Sequence, residues 1–120
     1  MYINNLKLKN FDVCIKNTGY LKLNNVSFES NTRAIDNYGK LSCICCLFKN
    51  NDKTNGASIY NRENSYAECL NCSFISKNSK IKEIYCEKSS FTKIIITNSS
   101  LFNKPNLITS LEIYLSPSDK

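Results

Sequence analysis

An eight-residue block recurs after 20 positions. Cys14-Ile15-Lys16-Asn17-Thr18-Gly19-Tyr20-Leu21 lines up with Ala34-Ile35-Asp36-Asn37-Tyr38-Gly39-Lys40-Leu41, and Ile, Asn, Gly and Leu coincide. The pattern extends when it is counted back from Phe28, Phe48, Phe74 and Phe102, which are 20, 26 and 28 residues apart. Seven residues before each Phe stand Leu21, Leu41, Ala67 and Ile95; five before stand Leu23, Cys43, Cys69 and Thr97; two before stand Val26, Cys46, Cys72 and Ser100. A further short piece carries Ile35, Ile59 and Ile84. Repetition at this period marks a repeat architecture in which each unit covers its neighbour's apolar face.

Within each unit the apolar positions alternate with period two, in two pieces separated by an odd residue. That residue is often Asn: Asn25, Asn71 and, displaced by one, Asn98. Asn tolerates the left-handed backbone of a sharp corner. Three short strands per 20–28 residues describe one coil of a parallel β-helix. Helices are disfavoured, because no long window repeats its apolar residues at i, i+3, i+4 and i+7. An antiparallel sandwich is the rival fold, but it does not require the same residue class at the same offset in every unit.

Phe28-Glu29-Ser30-Asn31 and Phe48-Lys49-Asn50-Asn51 match an FxxN motif, and Gly56-Ala57-Ser58-Ile59 is a degenerate GGAI. On these motifs residues 5–105 resemble the polymorphic membrane protein and adhesin-like families. The resemblance implies a right-handed, single-stranded parallel β-helix of four to five coils and a place at the cell surface or outside the cell. Residues 1–120 then form one repeat domain, a piece of a longer stack, with 105–120 as a last coil or cap. Phe28, Phe48, Phe74 and Phe102 are expected in one interior column. Open ends without caps predict a marginally stable, aggregation-prone chain that joins further coils or itself.

Of 120 residues, 18 are Asn and 15 are Ser, while Ile, Leu, Val and Phe supply 32, enough for a core. The net charge of +6 comes from 14 Lys and 2 Arg against 10 acids. The lysines are scattered and the arginines few, so nucleic acid is not expected as a partner. No stretch has the length or apolarity of a membrane helix, and the first residues lack the apolar core of a secretory signal.

Seven cysteines stand at Cys14, Cys43, Cys45, Cys46, Cys69, Cys72 and Cys86. Cys43 with Cys46, and Cys69 with Cys72, form two CxxC pairs of the kind that binds zinc. The same positions hold Leu23 and Val26 one unit earlier, which favours buried stacks of small apolar side chains. Cys43 is expected on Cys69 and Cys46 on Cys72, as two columns set apart by a corner and without metal. Disulfides between stacked coils and a four-thiolate site stay open as alternatives. Asn25, Asn71 and Asn98 head glycosylation sequons.

The chain has no His, so an imidazole base or ligand is absent. The acids are Asp12, Glu29, Asp36, Asp52, Glu63, Glu68, Glu83, Glu87, Glu112 and Asp119. No two share a repeat position in adjacent units: Asp36 is matched by Lys16 and Tyr60, and Glu68 by Ser42 and Ile96. Paired carboxylates for acid/base work are therefore not expected, and no catalytic, cofactor or metal residue is assigned. Tyr20, Tyr60, Tyr66 and Tyr85 are candidates for contact with glycans or proteins, since tyrosine brings contact area at low entropic cost. The expected function is that of a non-catalytic, adhesin-like repeat protein. The alternative is a fragment of a pectate-lyase-like carbohydrate-active β-helix enzyme without its catalytic coils.

Overall fold

The computed structural model describes residues 1–76 and 80–87, together with the strand backbone at 93–97, 100–101, 108–109 and 113–115. Every regular element among them is a β-strand, so no helix long and apolar enough to cross a membrane occurs among the described residues. In chain order the strands are β1 (Tyr2–Lys9), β2 (Val13–Asn17), β3 (Tyr20–Glu29), β4 (Arg33–Asn37), β5 (Lys40–Ile44), β6 (Leu47–Lys49) and β7 (Asn55–Asn61). They continue as β8 (Tyr66–Leu70), β9 (Ser73–Ile75), β10 (Lys82–Cys86), β11 (Lys93–Thr97), β12 (Ser100–Leu101), β13 (Ile108–Thr109) and β14 (Ile113–Leu115).

All described pairs are parallel, and they form two sheets. The first sheet runs β12-β9-β6-β3-β5-β8-β11-β14, with β1 also on β3; the second runs β13-β10-β7-β4-β2. Each unit thus returns to lie beside the one before. The antiparallel alternative is excluded for the described pairs, and the registers match the sequence pattern. Leu21 lies opposite Leu41 and Leu23 opposite Cys43. Leu41 lies opposite Ala67 and Cys43 opposite Cys69, while Ile35 lies opposite Ile59 and Ile59 opposite Ile84.

The core is the inward set of these positions. Leu23, Val26, Phe28, Cys43, Phe48, Ala67, Cys69 and Phe74 are fully buried. Phe48 stacks on Phe28 with centroids 5.0 Å apart and planes 5° apart, and on Phe74 at 4.9 Å and 3°. That separation is the strand spacing, so the rings stack because the backbones do. One expectation fails. The copy at 93–101 sits one residue earlier than the pattern placed it: Ile94 lies opposite Ala67 and Ile96 opposite Cys69. Leu101, not Phe102, lies opposite Phe74, and Glu68 faces Ile95 rather than Ile96. A one-residue slip exchanges the two faces of a strand. The observed register gives two Ile, in place of Ile95 and Thr97, the positions of Leu and Cys in earlier units. Phe102 and Asn98 lie outside the described residues.

Two corners and one turn punctuate each early unit. The first corner takes positive φ at Asn5 (56°), Asn25 (56°), Cys45 (54°) and Asn71 (54°). The second, which the sequence did not reveal, does so at Asn10 (65°), Ser30 (55°) and Asn50 (55°). The asparagines of FxxN are buried just beyond it. Asn51 Oδ1 accepts from Asn31 Nδ2 and backbone N at 3.0 Å, and Asn51 Nδ2 donates to the Phe28 carbonyl at 3.2 Å.

The turn between sheets is held by a second ladder of amides. Asn17 Nδ2 donates to Asn37 Oδ1 at 2.9 Å, and Asn37 Nδ2 donates to Asn61 Oδ1 at 2.7 Å. Each of the first two amides also binds the glycine two residues on, with Gly19 N donating to Asn17 Oδ1 and Gly39 N to Asn37 Oδ1 at 3.2 Å. The stacked turns approach so closely that a Cβ on Gly39 would sit 2.2 Å from the Gly19 carbonyl oxygen, whereas a Cβ on Gly19 meets nothing within 4 Å. Gly39→Ala is therefore expected to destabilise the chain by about 1–3 kcal/mol, the usual cost of overpacking, and Gly19→Ala by less than about 0.5 kcal/mol. Urea unfolding midpoints of the two variants check this; equal losses would contradict the stacking order.

Candidate functional site

The second and third units differ in length, and the difference builds a site. Phe28 precedes Ile35 by 7 residues, but Phe48 precedes Ile59 by 11; Ile35 precedes Phe48 by 13, but Ile59 precedes Phe74 by 15. The first insertion becomes the loop after β6 and an irregular start to β7, where the register against β10 shifts between Lys82 and Ile84. Gly56 takes φ +71° there, and a Cβ on it would lie 2.9 Å from Tyr60, so glycine is required. The second insertion becomes the turn from Arg62 to Ser65, closed by Ser65 N donating to the Arg62 carbonyl at 3.1 Å.

These irregularities gather two arginines around one tyrosine. Arg33, at the start of β4, turns along the bulge: its Nε donates to the Gly56 carbonyl at 3.0 Å and its Nη2 to the Asn55 carbonyl at 2.9 Å. Its guanidinium carbon lies 4.4 Å from the Tyr60 ring centroid, and that of Arg62 lies 4.1 Å from it. Arg62 is forked onto Asp36 at 2.6 and 2.9 Å, reaches Glu87 at 3.5 Å and lies 5.1 Å from the Tyr38 ring. Lys16 stands 5.0 Å from Tyr38, and Tyr85 tilts against Tyr60 at 5.1 Å. The result is an outward cationic and aromatic face on β2, β4, β7 and β10, of the kind cation–π attraction favours. Beside it opens a cleft of about 410 Å³ lined by Thr32, Arg33, Asp52, Lys53, Thr54, Asn55 and Tyr60.

The electrostatics of the two arginines differ. The Asp36 carboxylate bonded to Arg62 holds that guanidinium above its ordinary pKa. Burial pushes Arg33 the other way, down from its ordinary value, with the Asp36 charge only partly opposing. The Tyr60 hydroxyl is held up by burial first and by Glu87 next.

Of the tyrosines singled out in the sequence, the structure brings Tyr60 and Tyr85 together. It places Tyr20 and Tyr66 on the other sheet, in one row with Lys40. Asp36 lies between Lys16 and Tyr60 as the repeat pattern required. Sequence reasoning missed Tyr38, Arg33 and Arg62. The available signal was the lengthened third unit, since added residues in a repeat go to loops and turns. Asn25 and Asn71 sit exposed at their corners, and Asn25 Nδ2 is bonded to Asn5 Oδ1 at 2.7 Å. Comparison with protein-family models, curated proteins and solved structures returns no match to this chain.

All seven cysteines are reduced in the structure, none joined in a disulfide. Cys43, Cys46, Cys69 and Cys72 are buried, and Cys43 lies opposite Cys69. Ser73 N donates to the Cys46 carbonyl at 3.0 Å, which places Cys46 beside Cys72 on the far side of the corner, so the thiols stack in the two pairs the repeat pattern required. The left-handed residue at Cys45 or Asn71 lets both members of each CxxC be buried. Hydrogen bonds with Cys46 and Cys69, and then burial, hold Cys43 and Cys72 above the ordinary thiol range. Cys72 Sγ donates to the Cys43 carbonyl at 3.4 Å, a contact that requires the protonated thiol. Among the described residues no group of three or more potential ligands is placed to hold a metal ion.

A buried acid lies apart from this polar face. Glu83, in β10, is fully buried, and its two carboxyl oxygens accept from the hydroxyls of Ser58 and Ser76. Burial raises its pKa above the ordinary 4.5, and the two hydroxyls pull back only in part. The folded state thus holds this proton more tightly than the unfolded chain. Its contribution to stability is complete below pH 4.5 and is lost as pH rises through the folded value. Glu83→Gln keeps the shape without the charge. It is expected to unfold at higher urea than the parent at pH 7–8, with the gap closing below about pH 4.5. A gap that widens on acidification would contradict the assignment.

Proposed function

We propose that this chain is a right-handed parallel β-helix repeat domain that acts by contact rather than by catalysis, through the face bearing Tyr38, Tyr60 and Tyr85. Each unit pairing in parallel with the last supports the β-helix. The observation that carries the role is the gathering of three tyrosines and two arginines on one outward surface. Aromatic and guanidinium groups are the side chains that interfaces and sugar sites favour. Glycans or surface proteins are the proposed partners, in keeping with the adhesin-like motifs and a place at the cell surface.

A non-catalytic role is supported by how the acids of this face are used. Asp36 is forked onto Arg62, and Glu87 meets Arg62, the Tyr60 hydroxyl at 3.4 Å and the Glu63 backbone N at 2.8 Å. These carboxylates position side chains. The proposal includes association at the rim, where β1 pairs on one side with β3 and Met1, Tyr2, Leu6, Phe11, Val13 and Tyr20 are exposed.

A panel of immobilised neutral and acidic glycans tests the role. The parent protein is expected to be retained on at least one glycan without cleaving it. Tyr38→Ser and Tyr85→Ser are expected to lose that retention at least tenfold while keeping the parent's circular dichroism. Cleavage of a bound glycan, or retention untouched by both substitutions, would contradict the reading.

A further inference from the structure

Arg33 is a buried cation without a described counter-ion. Only 9% of its surface is exposed. Two backbone carbonyls and one aromatic face receive its guanidinium, and all three are dipoles or quadrupoles rather than charges. The carboxylate whose charge acts on it, Asp36, is already forked onto Arg62. Among the described residues no ion pair includes Arg33 or Lys53. A guanidinium offers five N–H donors, and the contacts to Gly56 and Asn55 use the one on Nε and one of the two on Nη2.

Burying a charge costs several kcal/mol unless a partner offsets it. Here the backbone fixes the guanidinium rigidly at the edge of an open cleft instead of releasing it to water. Lys53 and Thr54 sit exposed on the same cleft and Thr32 half-buried on it, and the threonine hydroxyls donate readily to oxygen. Asp52 is the single carboxylate in the lining. The position is shaped by the lengthened third unit: Thr54 and Asn55 lie in the segment that the second unit lacks, while Lys53 N bonds the Thr32 carbonyl as Arg33 N bonds the Asp12 carbonyl one unit earlier.

We propose that this cleft receives an oxyanion, the carboxylate or sulfate group of an acidic sugar, held between Arg33 and Lys53. The inference rests on reading the adjacent face as a binding surface, and it names the chemistry that surface selects. Arg33 supplies directed donors, Lys53 a mobile charge, and the two threonines neutral donors. The Tyr60 ring already carries a guanidinium at 4.4 Å and another at 4.1 Å, so the anion, not ring stacking on Tyr60, fixes the ligand here.

The test is a titration of isotope-labelled protein with sodium sulfate, sodium glucuronate and glucose at constant ionic strength, followed by backbone amide shifts. Sulfate and glucuronate are expected to move the amides of Thr32, Arg33, Lys53 and Asn55, and glucose is expected to leave them unmoved. Lys53→Gln, an exposed change that leaves the fold alone, is expected to weaken the anion about threefold or more. Arg33→Gln is expected to weaken it on the order of tenfold or more, and Asp52→Asn to strengthen it. Glucuronate binding tighter than sulfate identifies an acidic sugar as the source, whereas equal binding identifies a free anion and overturns the sugar assignment. Unmoved amides, equal shifts with glucose, or shifts indifferent to Lys53→Gln would overturn the inference. A neutral glycan held through Tyr38 and Tyr85 in that case leaves the binding face standing, while loss of both removes the reading beneath.

Discussion

The buried amide ladder through Asn17, Asn37 and Asn61 is the constraint on which the stack depends. At the turns the sheet hydrogen bonds run out, yet the backbone is still enclosed. Asn37 is fully buried. It receives the amide of Asn17, passes its own to Asn61, and also donates to the Tyr66 carbonyl at 3.0 Å. A buried donor or acceptor left without a partner costs about 1–3 kcal/mol, so each amide needs its neighbours at one register and no other. That register then places Phe on Phe and Cys on Cys. The aromatic column is the consequence of stacked backbones as much as its cause.

The third unit shows what happens where regularity is relaxed. Its first insertion frees a loop and a bulge, and the bulge carbonyls of Asn55 and Gly56 become the seat of Arg33. Its second insertion lets Arg62 fold back over Tyr60 to Asp36. Both ends of the polar face therefore hang on one departure from a 20-residue period, while the ladders on either side hold the frame that positions them. This division between a rigid repeating scaffold and a variable insertion is how repeat folds present distinctive surfaces.

Much of the scaffold was legible in the sequence because parallel register repeats chemistry at fixed offsets. Leu21 with Leu41, Cys43 with Cys69, Phe28 with Phe48 and Phe74, and the corners at Asn25 and Asn71 all follow from that rule. The slip near Ile94 was not legible, because Phe102 next to Leu101 offered a more obvious but wrong anchor. Cys45 was not recognised as a corner, since no intrinsic preference marks a Cys for left-handed backbone. Glu83 stands in a column with Ala34 and Cys14, where nothing announces a buried carboxyl. The cleft was hidden for a similar reason: side chains on inserted residues have no counterpart in neighbouring units to compare with.

The most direct measurement of the in-register stack is a set of nuclear Overhauser contacts between like side chains in a labelled sample. The account predicts contacts between the side-chain amide protons of Asn17 and Asn37, between those of Asn37 and Asn61, and between the rings of Phe28, Phe48 and Phe74. Close α-proton contacts of antiparallel pairs, or no contact between these like side chains, would contradict it.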